Sequence, residues 1–233
     1  MIWFTYNVKD ELFESEEILN KFLMSHTKYP RTPHLLWSEK FGKDDRVLDS
    51  IDHFIGEEVV VTLKLDGENT TMYNDHIHAR SLDSSHHPSR NWVKGLWGEI
   101  AYKIPKNGFR ICGENMFAKH TIHYKNLSTY FFVFSIWQDN KCLSWEETLD
   151  YCRLLELTPV PVLYRGVFDY NHISNIYQKE YNGDPCEGYV VRLAKEFKYE
   201  DFGKSIGKFV SLHFAIGDIH WMHDKIIKNE LNK

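Results

Sequence analysis

The chain has few cysteines, and their spacing rules out two common classes of small stabilised domain. Only four occur among the 233 residues, at positions 112, 142, 152 and 186, and no two of them form a CxxC pair. A disulfide scaffold concentrates its cysteines in a short chain, and a zinc knuckle needs closely spaced pairs. The sequence therefore argues against both a disulfide scaffold and a zinc knuckle.

Long apolar runs and targeting signals are also lacking. No segment reaches the roughly 20 consecutive apolar residues that cross a bilayer. The first residues, MIWFTYNVKDELFE, carry acids where a secretory signal or transit peptide carries bases. We therefore expect a soluble cytoplasmic protein with no membrane partner.

The thirteen histidines supply no complete metal site in the sequence. Three short groups could each place two ligands together: His76 with His78, His86 with His87, and His220 with His223. A structural zinc site needs about four ligands, and no local group provides them. We therefore expect no dedicated transition-metal site.

Charge is low overall but unevenly distributed. The formal net charge is −5, yet residues 78–125 hold eight basic and three acidic residues. A local basic face suits a partner that carries phosphates, although a solvated helix face has the same composition.

Many short strands and scattered helices predict an α+β fold with antiparallel or mixed sheets. Strands are expected at 58–66, 70–75, 76–81, 109–115, 130–137 and 187–193, and from Gly207. Helices are expected from Ser15, over 91–104, from a Ser144–Glu147 capping box to Leu155, and after His220. Residues 1–211 would form the main domain and 212–233 a short helical tail.

The stretch VVVTLKLDGENTT at 59–71 raises a question about its lysine. Strand alternation puts Val59, Val61, Leu63 and Leu65 on one side and Lys64 on the other. Asp66 and Gly67 have the composition of a tight hairpin turn with positive φ. Lys64 is then either an exposed residue at a hairpin end or a group that faces a site.

Six segments in a fixed order favour the second interpretation. They are KLDGEN (64–69), ARS (79–81), CGEN (112–115), FFVFSIW (131–137), EGYVVR (187–192) and the GKFV region. They resemble motifs I, Ia, III, IIIa, IV and V of the covalent nucleotidyltransferases, which include RNA ligases, DNA ligases and mRNA capping enzymes. The resemblance covers roughly residues 30–225 and is strongest to compact members of the ATP-dependent RNA ligase family.

The resemblance implies a nucleotidyltransferase (ATP-grasp-like) domain of antiparallel or mixed sheets flanked by helices. It also implies that Lys64 attacks the α-phosphate of ATP and becomes lysyl-AMP, with Mg²⁺ or Mn²⁺ supported by Glu187. A lysine nucleophile needs a pKa lowered by about three units, which burial and a neighbouring cation, Lys204 or Lys208, could provide. The 25 residues after Lys208 are too few for the OB-fold of DNA ligases, so none is expected.

Binding roles are implied in the same way. Asp66 would lie beside the nucleophile, Glu114 would accept hydrogen bonds from the ribose, and Arg80 would contact the ribose or a 5′-phosphate. Phe134 would stack on adenine, with Phe132 as the neighbouring alternative. Either Lys204 or Lys208 would hold the α-phosphate, and Asn69 would act in strand sealing.

Two positions depart from the family pattern. Leu63 stands where related RNA ligases often have glutamate, and Ser211 where a compact relative has arginine. The implied function is ATP-dependent joining of 3′-hydroxyl and 5′-phosphate RNA ends. The alternatives are a lysyl-nucleotidyltransferase that acts on DNA ends or caps, and a decayed nucleic-acid-binding module.

Overall fold

A computed structural model describes residues 26–40, 42–213 and 226–232. The predicted helix from Ser15 and the HWMH segment at 220–223 lie outside these residues. The strands are β1 (Glu58–Lys64), β2 (Glu68–Met72), β3 (Ile77–Ala79), β4 (Phe109–Asn115), β5 (Phe131–Gln138), β6 (Lys141–Cys142), β7 (Thr158–Pro159), β8 (Val162–Val167), β9 (Glu180–Tyr181), β10 (Asp184–Pro185), β11 (Gly188–Leu193), β12 (Phe197–Lys198) and β13 (Ile206–Val210). The α-helices are α1 (Asn91–Ile100), α2 (Trp145–Leu154), α3 (Tyr170–Ser174) and α4 (Phe202–Ser205).

Two sheets carry the fold. A four-stranded antiparallel sheet has the order β13-β11-β1-β8. In a second, seven-stranded sheet, six of the strands have the order β12-β6-β5-β4-β2-β3. Strand β7 joins the larger sheet through parallel pairing with β5, so that sheet is mixed. A short β9–β10 ribbon stands apart. The predicted α+β class with antiparallel and mixed sheets is confirmed.

Strand β1 lies between β11 and β8, and its side chains are buried on both faces because core clusters pack against them. Val59 and Val61 belong to one core cluster, whereas Val60, Leu63 and Leu65 belong to another. The prediction that Val59, Val61, Leu63 and Leu65 share a side stays a prediction, since two core clusters meet along this strand and cluster membership does not define a face. The pairing register with β8 shifts between Val61 and Thr62, where Leu163 of β8 is the extra residue, whereas β1 pairs with β11 without a shift from Val59 to Lys64.

Asp66 and Gly67 do not form the predicted hairpin turn. Strand β1 belongs to the smaller sheet and β2 to the larger one, so residues 65–67 cross between sheets. Gly67 is not among the glycines with positive φ, and its role is close approach. A Cβ there would lie 2.6 Å from both the Asn115 carbonyl oxygen and the Met116 sulfur.

The helices follow the predicted patterns closely. In α1, Val93 and Ile100 are buried, and the Trp97 Nε1–H donates to the Tyr73 carbonyl at 2.7 Å. The capping box of α2 is confirmed, with Ser144 accepting from the Glu147 N–H and Glu147 accepting from the Ser144 N–H at 2.9 Å. Among the described helices, none has the length and apolarity of a membrane span. All four cysteines are buried free thiols.

Part of the predicted helical tail is extended. Residues 226–232 run along the loop at 116–130 without helical structure, whereas residues 214–225 are outside the description. Asn229, only 1% exposed, anchors this segment. Its Nδ2 donates to the Met116 and Ala118 carbonyls at 2.7 and 3.3 Å, and its Oδ1 accepts from the Tyr124 N–H at 2.9 Å. The division at residue 211 stays a prediction.

Replacing Asn229 with alanine should cost about 2–4 kcal/mol of unfolding free energy, because two carbonyls and one N–H would lose buried partners. Urea unfolding of the two proteins measures the difference. Asn232→Ala is the control, since Asn232 is exposed and contacts Leu127 through its backbone N–H at 2.8 Å. Equal unfolding free energies for wild type and Asn229→Ala would contradict the anchoring role.

Candidate active site

A cleft of about 670 Å³ opens where the two sheets meet. We call it the central cleft. Its wall includes five of the predicted site residues: Lys64, Asn69, Glu114, Phe134 and Lys208. They come from β1, β2, β4, β5 and β13, so both sheets contribute. The tertiary structure thus brings together residues that are up to 144 positions apart.

Lys64 lies at the end of β1 and is paired with Glu187, which precedes β11. The Lys64 Nζ is 2.5 Å from the Glu187 Oε2, and the two side chains are 23% and 9% exposed. The register places Lys64 opposite Gly188. A Cβ at Gly188 would lie 2.0 Å from the Phe209 carbonyl oxygen, so glycine allows β13 to approach β11 here.

The expected lowering of the lysine pKa is not what the structure gives. Burial alone lowers the pKa of Lys64, but the carboxylates of Glu187, Glu114 and Asp66 outweigh burial and raise that pKa above its usual value. Burial has the opposite effect on a carboxylate and raises the pKa of Glu187, although the charge of Lys64 opposes that rise. The amine is therefore held as an ammonium ion in this arrangement, because its nearest neighbour is an anion rather than a second cation.

Glu114 lies next to the sheet crossover. Its Oε1 accepts a hydrogen bond from the Gly67 N–H at 3.1 Å. Burial raises the pKa of Glu114 to about 8, although Lys64 opposes that rise. Directly across the β2–β4 ladder is Asn69, whose Oδ1 is buried without a hydrogen-bond partner. The cleft therefore contains polar oxygens that a ligand could engage.

Strand β5 settles which phenylalanine faces the central cleft. Cys112 pairs with Ser135 and Gly113 with Val133, which leaves Phe134 as the extra residue of a bulge. Phe134 lines the cleft, whereas Phe132 is 4% exposed and buried in a neighbouring cluster. Sequence spacing could not separate them because alternation puts residues two apart on the same face.

The two candidate lysines near the C-terminus are also separated. Lys208 on β13 lines the central cleft, and Lys204 on α4 is exposed and away from its wall. Burial lowers the pKa of Lys208, and the positive charge of Lys64 lowers it further. The structure therefore favours Lys208 as the second cation of the cleft.

Asp66, Arg80 and Glu187 do not line the central cleft, although Glu187 contacts Lys64 beside it. The Asp66 Oδ2 accepts from the N–H groups of Thr121 and Ile122, both at 2.8 Å, and so holds the loop that follows β4. Arg80 lines a second cleft of about 1570 Å³, with Tyr29 on the wall shared by both clefts. The nucleotide-binding roles of Asp66 and Arg80 stay predictions.

Sequence reasoning missed several cleft residues. Tyr29 and Thr32 precede all six motif segments, and Arg192 ends the EGYVVR segment without a predicted role. Tyr29 packs edge-on against Phe134 with ring centroids 5.0 Å apart. Loop composition carries no periodic signal that could have placed these residues. Of the two positions that depart from the family pattern, Leu63 also lines the cleft. Ser211 is buried, with its Oγ 3.2 Å from the Glu39 Oε2.

The basic segment at 78–125 is only partly available to a partner. Arg90 donates to both carboxylate oxygens of Glu68, at 2.8 and 2.5 Å. Arg110 is 3% exposed and lies 4.8 Å from the centroid of the Trp137 ring. These two residues have structural roles, because neither guanidinium is free to contact a phosphate.

His76 and His78 pack with His26 as a group of neighbouring rings. The rings of His26 and His76 lie 4.1 Å apart and tilted by 32°, and those of His76 and His78 are 5.6 Å apart. Within the described ranges, no group of three or more His, Cys, Asp or Glu residues could hold a metal ion. His220 and His223 lie outside those ranges.

The profile of the RNA ligase family matches residues 57–210. Solved structures of a Naegleria gruberi RNA ligase are similar in fold. The form with pyrophosphate has a TM-score of 0.51 and 17% identity, over 81% of this chain and 62% of that one. A mutant with ATP and manganese has a TM-score of 0.50 and 17% identity, over 82% and 61%. The chain thus spans about three fifths of their length, and identity at this level shows the fold alone. No curated protein sequence gives a significant match.

Gly67→Ala should destabilise the protein by about 2–4 kcal/mol, because the new methyl group meets the Asn115 carbonyl and the Met116 sulfur at 2.6 Å. Urea unfolding measures the loss. Gly95→Ala is the matched control, since nothing lies within 4 Å of a Cβ there and alanine favours the helix. If both substitutions leave stability unchanged or raise it, the close approach at the crossover is wrong.

Glu114 should make the protein less stable as pH rises. Its pKa of about 8 in the folded protein lies above the ordinary value near 4.5, so the folded state binds more protons between these limits. The unfolding free energy should fall by about 1 kcal/mol per pH unit in that window. Relative to Glu114→Gln, the wild type should lose stability between pH 5 and pH 8 in urea titrations. Glu200→Gln, at an exposed site, should show the same pH dependence of the unfolding free energy as the wild type.

Proposed function

The chain belongs to the RNA ligase family, and we propose that it is an ATP-dependent RNA ligase that joins 3′-hydroxyl and 5′-phosphate ends. The reaction would pass through a covalent lysyl-AMP on Lys64 and then through an adenylylated RNA 5′ end. The observation that carries the proposal is the position of the Lys64 amine on the wall of a cleft shared with Glu114, Phe134 and Lys208. The domain would be a nucleotidyltransferase fold of the ATP-grasp-like kind.

The central cleft offers the contacts that a nucleotide needs. Phe134 supplies an aromatic face for adenine, and Val190 and Val160 supply apolar surface. Glu114 and Asn69 supply oxygens that accept hydrogen bonds from ribose hydroxyls. Lys64 and Lys208 supply positive charge for phosphates. ATP and manganese are bound in a fold relative, the Naegleria gruberi enzyme, which supports ATP as the ligand.

In the first step, the neutral Lys64 amine attacks the α-phosphorus. A bond forms from Nζ to phosphorus, the bond to the bridging oxygen breaks, and pyrophosphate leaves. Lys208 would stabilise the charge that develops on the α-phosphate. The Lys64 ammonium ion first has to release a proton to solvent, and its nitrogen releases a second proton to solvent as the bond to phosphorus forms. Loss of its contact with Glu187 would leave burial as the main influence, and burial lowers the pKa of the amine.

Oxygen donors in the cleft suit a hard divalent cation. The unpartnered Asn69 Oδ1 and the buried Glu187 carboxylate are of the type that Mg²⁺ or Mn²⁺ prefers. Since few protein ligands converge, the phosphates of ATP would complete the coordination, as is common for Mg²⁺. When bound through Glu187, the ion would neutralise charge on the leaving pyrophosphate.

The later steps need a place for RNA. AMP would pass from Lys64 to the 5′-phosphate, and the 3′-hydroxyl would then displace AMP and seal the strand. Arg80, in the second cleft, lies where a nucleic-acid phosphate could approach the central cleft past Tyr29. Family resemblance assigns Asn69 to the sealing step, and its position on the cleft wall is compatible with that role.

Incubation with α-³²P-ATP and Mg²⁺ should label the wild-type protein on a denaturing gel, and pyrophosphate should remove the label. Lys64→Ala should give no label, because the nucleophile is missing. Lys208→Ala should lower the rate of labelling by about 10²-fold, the usual loss for a group that stabilises transition-state charge. Lys204→Ala is the matched control and should stay within about twofold of wild type, since Lys204 is exposed away from the cleft.

A labelled band from folded Lys64→Ala protein would refute Lys64 as the nucleophile. Labelling by GTP in preference to ATP would indicate a capping enzyme. Sealing of DNA 3′-hydroxyl ends in preference to RNA ends would indicate a DNA-joining enzyme. No label with any nucleotide, from protein that is folded and free of bound nucleotide, would favour a binding module.

A further inference from the structure

An N-terminal segment outside the family match packs directly on the strand that carries Lys208. This segment comprises the described residues 33–40 and 42–48, whereas the family match begins at residue 57. The Lys208 N–H donates to the Pro33 carbonyl at 2.9 Å, and the Leu35 N–H donates to the Lys208 carbonyl at 2.8 Å. The segment folds back on itself, with the Leu48 N–H bonded to the His34 carbonyl at 2.8 Å. Its second half therefore lies beside the central cleft.

Asp45 is the residue of this segment that reaches the Lys208 side chain. Its Oδ1 lies 3.6 Å from the Lys208 Nζ, and the two side chains are 30% and 18% exposed. Its Oδ2 accepts from the Gly42 N–H at 2.9 Å and lies 3.5 Å from the His34 Nε2. The carboxylate is thus fixed by backbone and ring contacts on one side while its other oxygen faces the lysine.

Charge balance explains why a carboxylate is useful here. Lys64 and Lys208 are two cations on one cleft wall, and each disfavours the charge of the other. Glu187 is in contact with Lys64, which leaves Asp45 as the anion nearest to Lys208 among the described ion pairs. Burial and the charge of Lys208 lower the pKa of His34 to about 4, so that ring is neutral near pH 7. Lys208, rather than His34, is therefore the cation that pairs with the Asp45 carboxylate.

The charged and titratable groups that face Lys208 come from three elements. Lys64 comes from β1, Glu187 from the residue before β11, and Asp45 with His34 from the N-terminal segment. A free lysine side chain loses rotamer entropy when it is fixed. A carboxylate that is already immobile can hold the ammonium ion in the cleft before ATP arrives, so less ordering remains to be done on binding.

We propose that Asp45 is a positioning residue, which holds the Lys208 ammonium ion toward the site of the ATP phosphates. This inference rests on the proposed function, in which Lys208 contacts the α-phosphate. It extends the active site to a segment that lies outside the family match and that the sequence motifs do not include.

A double-mutant cycle on ATP binding tests the proposal. Equilibrium dissociation constants for ATP with Mg²⁺ are measured in the Lys64→Ala background, so that no covalent step intervenes. Asp45→Asn, which keeps the shape and an acceptor for Gly42, should weaken binding about five- to tenfold, as expected for loss of a partly buried charge pair. In protein that also carries Lys208→Ala, Asp45→Asn should have no further effect, because Asp45 acts through that lysine.

Two controls separate positioning from a general effect on folding. Asp44→Asn changes the adjacent exposed aspartate, which contacts Arg31 through its backbone carbonyl, and it should leave ATP binding unchanged. Asp45→Glu should restore at least part of the affinity, since it restores the charge. Urea unfolding should show that Asp45→Asn protein is folded under the binding conditions.

The outcomes distinguish this inference from the proposed function. If Asp45→Asn weakens binding equally with and without Lys208, or if it tightens binding, Asp45 does not position Lys208. In that case the wild type would still form the lysyl-AMP and the proposed function would stand. If the wild type neither binds ATP nor becomes labelled, the proposed function fails and the role of Asp45 fails with it.

Discussion

The crossing of the chain between its two sheets, directly after Lys64, is the constraint on which the site depends. Lys64 ends a strand of the smaller sheet, and four residues later Glu68 begins a strand of the larger one. Gly67 makes the crossing possible, because only a residue without a side chain fits against the Asn115 carbonyl and Met116. The same peptide donates its N–H to Glu114. One tight contact therefore fixes the distance between the nucleophile and the far wall of the cleft.

Charges in the cleft are balanced in pairs. Lys64 is in contact with Glu187, and Lys208 is near Asp45. Each carboxylate favours the ammonium form of its lysine, while burial acts in the opposite direction. A lysine in such a pair is well placed but unreactive, since attack requires the neutral amine. In the proposed reaction, ligands that draw the Glu187 carboxylate away would free the Lys64 amine, which would link nucleotide binding to activation of Lys64.

The loop at 116–127 is held both by Asp66, two residues after Lys64, and by Asn229 near the end of the chain. Asp66 holds its middle through the N–H groups of Thr121 and Ile122, and Asn229 holds its ends from the opposite side. Asp66, which the family resemblance places beside the nucleophile, thus has a structural task here. The C-terminal segment supports the same loop, although the motifs give no sign of it.

Local patterns predicted most of the longer elements, because those patterns act over a few residues, but they missed β8, α3 and α4. Strand β4 occupies the predicted range 109–115, and the Ser144–Glu147 capping box begins α2 as expected. The ordered motifs also predicted five side chains of the central cleft, since each motif has its own chemistry. What the amino-acid sequence determined by itself was therefore the identity of the elements and of the reactive groups.

Tertiary structure decided which of those groups face one another, because sheet pairing and bulges act across long sequence separations. The bulge at Phe134 selects it over Phe132, and the short β13 presents Lys208 rather than Lys204. The pKa of Lys64 follows from a partner 123 residues away, so local sequence could not give its direction. Asp45 and Tyr29 reach the site only because an irregular segment packs beside β13, and no local periodicity encodes that packing.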